Sequence, residues 1–183
     1  VAADKPVTIA LVGCGGQGRA LAGKFAEIPE AKITAFCDPE SGAKVGEFLK
    51  LNPGAPFFQD YRKLFAEHAD SFDAVVVATP DHMHFPIAMR AMDLGKHAFV
   101  EKPLAHAIGE CRALKAKAAA AGVVTQMGNY GHANEGTRLT KEWLEAGAVG
   151  KVREIVAWTN RPVWPQGVPF YYQGQPVPAT LDW

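Results

Sequence analysis

A glycine-rich hexapeptide at residues 13–18 has the composition of a loop that can hold phosphate groups. It reads GCGGQG, so its glycines follow the spacing G-x-G-x-x-G. In that pattern Gly13 permits a tight turn, Gly15 lets the backbone approach a pyrophosphate, and Gly18 lets a helix pack closely on a strand. The pyrophosphate would meet the free N–H groups at the positive end of that helix. The spacing predicts dinucleotide contacts at Gly13, Gly15, Gly16, Gln17 and Gly18. The alternative is a glycine-rich turn that binds nothing.

An acidic residue, Asp38, ends the second apolar segment of the chain, twenty positions after Gly18. A carboxylate at this position can accept hydrogen bonds from the adenosine ribose hydroxyls of a dinucleotide, and it would repel a ribose phosphate. The next residues, 39–42, contain no arginine, and the nearest cation after them is Lys44. The pattern therefore favours NAD over NADP. In the alternative interpretation, Asp38 caps a helix that begins at Pro39.

Lys102 is the candidate catalytic residue. It lies in the sequence Glu101-Lys102-Pro103, directly after an apolar segment. A lysine beside a nicotinamide can hydrogen-bond a substrate hydroxyl and stabilise the alkoxide that develops as hydride leaves. In the alternative interpretation, it is a surface lysine that pairs with Glu101. We also predict that Glu101 and Lys102 contact the cofactor.

A polar segment at residues 79–84 reads TPDHMH and follows another apolar segment. Here we predict cofactor contacts at Thr79, Pro80 and His84, with His84 capping or orienting the loop over the cofactor. His82 and His84 form an H-x-H pair, but residues two apart at the start of a helix point to different faces. No third ligand lies nearby, so the sequence predicts no metal site.

Alternating strands and helices must position these segments. Residues 7–12 are almost entirely apolar, as in a strand buried on both faces. Further strands are predicted at residues 32–38, 72–79, 97–100 and 123–126, and helices at 19–26, 43–51, 61–68, 85–94, 107–121 and 134–146. This alternation predicts an α/β fold, a Rossmann-type doubly wound parallel sheet. Ligands of such sheets bind outside the carboxyl ends of the strands, where all the candidate residues fall.

The pattern changes at residues 147–150, and we assign residues 1–150 to a dinucleotide-binding domain. Residues 151–159 read KVREIVAWT and predict a strand of a different, antiparallel sheet. Residues 161–183 are rich in proline and aromatic side chains. We expect residues 151–183 to be the first strand and the proline-rich, aromatic arm of a truncated second domain, in a fragment of a longer protein. The aromatic side chains would belong to the core of its missing part, or would pack on a sugar or a second subunit.

Charge and cysteine content argue against several kinds of partner. Lysine plus arginine and aspartate plus glutamate both number 19, so the net charge is zero and favours neither a nucleic-acid nor an anionic-membrane partner. No apolar run reaches the roughly 18 residues that a membrane span needs. The three cysteines have no C-x-x-C spacing, which favours small buried side chains over a disulfide framework or a zinc site.

Together these motifs resemble the N-terminal half of the glucose–fructose oxidoreductase/inositol dehydrogenase (Gfo/Idh/MocA) family. The resemblance rests on the glycine loop, on residues 36–39 (FCDP), 78–84 (ATPDHMH) and 100–103 (VEKP), and on the junction at 147–152. It implies an NAD(P)-binding Rossmann domain followed by an open-sheet substrate domain. It also implies oxidation of a sugar or polyol at a carbon that bears a hydroxyl, and a homo-oligomer (dimer or tetramer) when full length.

The same resemblance assigns Lys102 to the substrate and the nicotinamide, and it implies a cis peptide bond before Pro103. The family's catalytic aspartate/histidine segment would lie beyond Trp183, so we expect this chain to bind NAD without turning over a substrate. Residues 161–167 and 181–183 are similar to a bacterial subgroup often exported after a twin-arginine leader. Cytoplasmic and periplasmic locations both stay open.

Three functions remain as alternatives. The first is an NAD-dependent sugar or polyol dehydrogenase. The second is a glycoside hydrolase that keeps NAD bound, oxidises its substrate transiently, eliminates the leaving group and returns the hydride. The third is a dinucleotide-binding protein without catalysis. Both enzymes need the same cofactor site, so the N-terminal half of the sequence does not separate them.

Overall fold

The computed structural model of the chain describes residues 5–50, 53–160, 174 and 176–182. The chain divides into two compact units, Val1–Gly128 with Pro178–Trp183, and Asn129–Val177. The first unit contains every candidate site residue.

A six-stranded sheet with only parallel neighbours forms the centre of the first unit. Its strands are β1 (Val7–Val12), β2 (Ala31–Cys37), β3 (Phe57–Phe58), β4 (Ala74–Val77), β5 (His97–Glu101) and β6 (Thr125–Gly128). They lie in the order β3-β2-β1-β4-β5-β6. The strand order reverses between β1 and β4, as in the Rossmann fold, and this confirms the predicted fold class.

Helices connect the strands of this sheet. They are α1 (Gly16–Ala26), α2 (Ala43–Lys50), α3 (Tyr61–Glu67), α4 (His84–Asp93) and α5 (Ile108–Ala121), with short 3-10 turns at Ala69–Ser71 and Asp81–Met83. Each predicted helix and strand of this unit is found within about three residues of its expected ends. The two-residue strand β3 was not predicted, because its length gives no periodicity to detect.

The packing of β1 explains why its sequence is apolar on both faces. Ala10 and Val12 belong to one buried cluster, whereas Ile9 and Leu11 belong to another. The first cluster includes Leu64, Phe65, Ile87 and Met92 from α3 and α4, and the second includes Ala22, Val45 and Phe48 from α1 and α2. Full burial of a side chain such as Leu11 contributes about 1.5–3 kcal/mol. Helices on both faces therefore fix the strand that leads into the glycine loop.

The second unit contains α6 (Tyr130–Ala133) and α7 (Glu135–Glu145). Asn134 caps α7, since its side-chain oxygen accepts a hydrogen bond from the Thr137 N–H at 2.8 Å. The prediction of a strand at residues 151–159 is wrong, because residues 151–160 have no regular secondary structure. Alternating polarity forms a strand only beside another strand that can pair with its backbone, and the described part of this unit contains none.

Two further sequence predictions, the proline-rich arm and the domain boundary, are not tested by the described residues. Of the predicted proline-rich and aromatic arm, residues 161–173 lie outside the described residues. The predicted domain boundary at residue 150 stays a prediction. Among the described residues, no helix combines the length and the apolar character needed to cross a membrane.

Candidate functional site

Four chain segments meet at the carboxyl edge of the sheet. Residues 13–18 follow β1, Asp38 follows β2, residues 79–84 lie just after β4, and residues 101–103 close β5. These four strands are adjacent in the sheet and run in the same direction. The topology therefore brings together all the residues that the sequence predicts for the site.

Two glycines are required by the local geometry of the loop. Gly13 has a φ of +94°, and a Cβ on it would lie 2.5 Å from the Ala78 carbonyl oxygen. A Cβ on Gly18 would lie only 1.8 Å from the Gly13 carbonyl oxygen. The turn closes on itself at these positions, as the glycine spacing predicts.

The other two glycines face open space. In the part of the chain that the structure describes, no atom lies within 4 Å of a Cβ built on Gly15 or Gly16. Gly15 is the N-cap residue of α1 and supplies no side-chain hydrogen bond to the helix. The first amides of an 11-residue helix are thus left without a capping side chain beside an open surface. This geometry fits the diphosphate of a dinucleotide, which needs N–H donors and room for close approach.

Asp38 connects the end of β2 to the glycine loop. Its Oδ2 accepts a hydrogen bond from the Cys14 N–H at 2.7 Å, and its Oδ1 accepts one from the Glu40 N–H at 2.9 Å. The alternative that Asp38 caps a helix from Pro39 is wrong, because α2 begins at Ala43. Each carboxylate oxygen can accept a further hydrogen bond, so Asp38 can hold the loop and still receive ribose hydroxyls.

The thiol of Cys14 lies inside this turn and is inert. Its side chain is 1% exposed, and its Sγ lies 3.6 Å from the Cys37 carbonyl oxygen. Burial, reinforced by the charge of Asp38, raises the pKa of Cys14 to about 12. A neutral thiol is a poor nucleophile and metal ligand, so Cys14 serves as a small packing residue. Cys14, Cys37 and Cys111 are all free; Cys14 and Cys37 are buried as predicted, whereas Cys111 is only half-buried.

A hydrogen bond between Gln17 and Glu101 joins the glycine loop to the end of β5. Gln17 Nε2 donates to Glu101 Oε1 at 2.8 Å, and the Lys102 N–H donates to Glu101 Oε2 at 3.1 Å. Glu101 is 5% exposed, and a Cβ on Gly128 would lie 2.7 Å from its Oε1. The sequence identified Gln17 and Glu101 separately but not their contact, because 84 residues separate them.

Lys102 is exposed at the edge of this network. The Lys102 ammonium does not pair with Glu101, which was the alternative interpretation. The carboxylate of Glu101 instead accepts hydrogen bonds from the backbone N–H of Lys102 and from Gln17. Among the described residues, the Lys102 ammonium takes part in no ion pair. It is therefore available to a ligand. The peptide bond between Lys102 and Pro103 is cis, as the family resemblance implies.

His84 bridges two of the converging segments. It is 1% exposed; its Nδ1 lies 2.6 Å from the Pro103 carbonyl oxygen and its Nε2 lies 2.9 Å from the Thr79 carbonyl oxygen. Both partners are acceptors, so each contact is a hydrogen bond when that ring nitrogen carries hydrogen. The predicted role of His84 in orienting a loop agrees with this geometry.

Two further features of residues 79–84 concern ligands. The Thr79 hydroxyl oxygen is buried and has no hydrogen-bond partner among the described residues, which marks a donor and acceptor available at the site. His82 is exposed whereas His84 is buried, so the two rings do not converge. The described residues contain no cluster of three His, Cys, Asp or Glu side chains that could hold a metal ion.

Arg62 is a charged residue that the sequence analysis missed near the Asp38 side of the site. Its Nε donates to both carboxylate oxygens of Asp60, at 2.9 and 3.1 Å. The guanidinium holds the pKa of Asp60 below its ordinary value. Arg62 follows Asp38 by 24 residues and carries no recognisable motif, so only the packing of α3 reveals it.

The chain is similar to known proteins in both sequence and fold. The profile of the Gfo/Idh/MocA oxidoreductase family, NAD-binding Rossmann fold, matches residues 7–129. The chain is 30% identical over 148 residues to the 2,7-anhydro-N-acetylneuraminate hydratase of Mediterraneibacter gnavus, covering 81% of this chain and 38% of that protein. It is 36% identical over 110 residues to glycosyl hydrolase family 109 protein 2 of Shewanella sp. strain ANA-3, covering 57% of this chain and 24% of that protein.

A solved structure of similar fold is that of scyllo-inositol dehydrogenase from Lactobacillus casei with bound NAD(H) and scyllo-inositol. Its TM-score is 0.70 at 26% identity, covering 80% of this chain and 43% of that chain. The chain thus spans less than half the length of each of these three proteins.

Proposed function

The chain belongs to the Gfo/Idh/MocA oxidoreductase family as its NAD-binding Rossmann domain, and we propose that it serves an enzyme that oxidises a sugar or polyol hydroxyl by hydride transfer to NAD. The observation that carries this proposal is the hydrogen bond between Gln17 and Glu101. It joins the loop suited to a diphosphate to the strand end that presents Lys102.

The proposed cofactor contacts follow the geometry of the carboxyl edge. The amides at the start of α1, next to Gly15 and Gly16, receive the diphosphate. Asp38 accepts hydrogen bonds from the adenosine ribose hydroxyls and disfavours a ribose phosphate, so NAD is preferred over NADP. The unpartnered hydroxyl of Thr79 supplies a further polar contact. Pro80 and His84 shape and fix the loop that carries it.

Lys102 is the proposed catalytic residue. Its exposed ammonium donates a hydrogen bond to the substrate hydroxyl and stabilises the negative charge that develops on that oxygen. Glu101 holds the backbone of Lys102 in place through the N–H contact at 3.1 Å. When bound, NAD supplies the hydride acceptor. Removal of the hydroxyl proton needs an acceptor, which the family resemblance places in the substrate domain.

The substitution Lys102→Gln tests this role. NADH formation by the complete enzyme with a panel of sugars and polyols should fall about 10²–10³-fold in kcat, the usual cost of removing one hydrogen-bond donor that stabilises a developing oxyanion. Affinity for NAD should change little. Lys32→Gln, at an exposed position in β2, removes the same charge far from the site and should leave both quantities unchanged. Wild-type turnover in Lys102→Gln would contradict the proposal.

A glycoside hydrolase is the second candidate. The observation in its favour is the 36% identity over 110 residues to a protein named as a glycosyl hydrolase. The two functions differ in net reaction. A dehydrogenase accumulates NADH and consumes added NAD, whereas the hydrolase releases a sugar with no net NADH. Measuring both products in one reaction distinguishes them.

The assembly of the full-length protein is also a proposal. The family resemblance supports a dimer or tetramer, which sedimentation would measure directly. A sedimentation coefficient of a monomer at micromolar concentration would contradict it. The same resemblance supports the expectation that residues 1–183 bind NAD without turnover. Reduction of NAD by these residues alone, with any sugar, would overturn that expectation.

A further inference from the structure

A short segment near the end of the chain returns to the cofactor side of the sheet. Residues 178–182, here called the strap, belong to the first unit. The Ser41 N–H donates to the Thr180 carbonyl oxygen at 2.9 Å, and the Asp182 N–H donates to the Pro39 carbonyl oxygen at 2.8 Å. Glu40 and Leu181 form an antiparallel bridge between these two bonds. The strap therefore pairs with the residues that directly follow Asp38.

Side chains reinforce this pairing. Gln59 Nε2 donates to the Thr180 carbonyl oxygen at 3.1 Å and to the Pro39 carbonyl oxygen at 2.9 Å. The Ser41 hydroxyl donates to the same Thr180 oxygen at 3.0 Å. The Thr180 carbonyl oxygen thus accepts three hydrogen bonds from residues that follow β2 and β3. Such convergence fixes the position of the strap relative to the end of β2.

A cavity of about 340 Å³ lies between the ends of β2 and β4, and Asp182 of the strap forms part of its wall. Its apolar lining includes Pro39, Pro80, Met83 and Ile87. The cavity is adjacent to Asp38, because Cys37 and Pro39 on either side of that residue both line it. A flat apolar group attached to a ribose at Asp38 would enter this space.

The polar groups of the cavity differ in their availability. The Asp60 carboxylate accepts hydrogen bonds from Arg62 Nε and from the Arg62 backbone N–H, so this carboxylate is engaged. Gln59 is engaged by the strap. Asp182 is exposed, and none of the hydrogen bonds or ion pairs found among the described residues involves its carboxylate. The negative charge of Asp182 lies close enough to act on the Arg62 guanidinium, yet within this part of the chain no hydrogen bond occupies its oxygens, so Asp182 can accept one from a ligand in the cavity.

We propose that the strap forms one wall of the adenine pocket of the NAD site, and that Asp182 selects adenine by accepting a hydrogen bond from its 6-amino group. Adenine matches the cavity because it is flat and largely apolar and carries a single exocyclic donor. A carboxylate accepts such a donor but repels a carbonyl oxygen at the same position. This inference rests on the proposed function, since it assumes that the ribose lies at Asp38.

Nicotinamide hypoxanthine dinucleotide provides the matched probe. It differs from NAD in carrying a carbonyl at the 6-position of the purine in place of the amino group. Calorimetric titration of the chain with both dinucleotides should give a dissociation constant about ten- to a hundredfold larger for the hypoxanthine form, the range for a hydrogen bond to a charged group. In Asp182→Ala that ratio should fall to about one.

The control variant is Asp70→Ala, which removes an exposed carboxylate outside the cavity and should keep the wild-type ratio. Circular dichroism verifies that both variants are folded. A wild-type ratio in Asp182→Ala, with NAD still bound, would overturn the role of the strap and leave the NAD site standing. Failure of the wild-type chain to bind NAD would instead overturn the proposed function itself.

Discussion

Replacement of Gly18 by alanine tests the glycine loop most sharply. The new Cβ would lie 1.8 Å from the Gly13 carbonyl oxygen, whereas real Cβ atoms essentially never approach a heavy atom within 3.0 Å. The two atoms must therefore separate by at least 1.2 Å, a distance that moves the start of α1 away from the turn. The two nearest atoms, the carbonyl oxygen and carbon of Gly13, both belong to the backbone, so no side-chain rotation relieves the overlap.

The expected cost follows from that displacement. Overpacking of this kind lowers the free energy of unfolding by about 1–3 kcal/mol. A misplacement of about 1 Å in a positioned site can cost a factor of roughly 10², so the affinity for NAD should fall by one to two orders of magnitude. Chemical denaturation and calorimetric titration with NAD measure the two effects separately.

Gly23→Ala is the matched control for this substitution. Gly23 lies in the same helix, and a Cβ there would meet no atom within 4 Å. Alanine should stabilise the helix by about 0.5–1 kcal/mol and leave NAD affinity unchanged. If Gly18→Ala matched Gly23→Ala in both stability and affinity, the reasoning about the closed turn would be refuted.

Three other substitutions or conditions test the neighbouring groups. Asp38→Asn keeps an oxygen that can accept from the Cys14 N–H but removes the charge, so affinity for NADP relative to NAD should rise at least about tenfold by calorimetry. His84→Ala leaves the Thr79 and Pro103 carbonyl oxygens without their partner, and the free energy of unfolding should fall by about 1–3 kcal/mol in denaturant titrations. The raised pKa of Cys14 means that the folded state holds its thiol proton more tightly than the unfolded state. Stability from this group is therefore present below pH 9 and is lost as the pH rises from about 9 towards 12, which thermal melts of wild type and Cys14→Ala should show as a steeper loss in wild type.

For each of these three predictions, one result would contradict the reasoning. Unchanged NADP affinity in Asp38→Asn would show that the carboxylate does not face the ribose. Wild-type stability in His84→Ala would show that the bridge between the two loops carries no net energy. Identical alkaline stability profiles for wild type and Cys14→Ala would show that burial of the thiol is not coupled to folding.

The sequence predicted the parts of the fold that carry strong local signals. The apolar residues of β1 and the glycine spacing after it located the first βα unit, because burial on both faces and a closed turn each demand particular residue types. The residues at the ends of β2, β4 and β5 were found from their position after apolar segments. Parallel topology alone brings those ends together.

The sequence did not predict contacts between distant residues. The pairing of Gln17 with Glu101 and the return of the strap to Pro39 both depend on tertiary packing across long separations. Asp60 and Arg62 are only two residues apart at the start of α3, so their ion pair is local. Its position beside the carboxyl edge of the sheet, however, depends on how α3 packs. The strand predicted at residues 151–159 failed because alternation does not supply a partner strand.

The most direct test of the account is a calorimetric titration of the wild-type chain with NAD and with NADP. The carboxyl edge around Gly15 and Asp38 predicts saturable binding of one NAD per chain, with NADP binding more weakly. Absence of heat with both dinucleotides, under conditions where circular dichroism shows the chain to be folded, would contradict it.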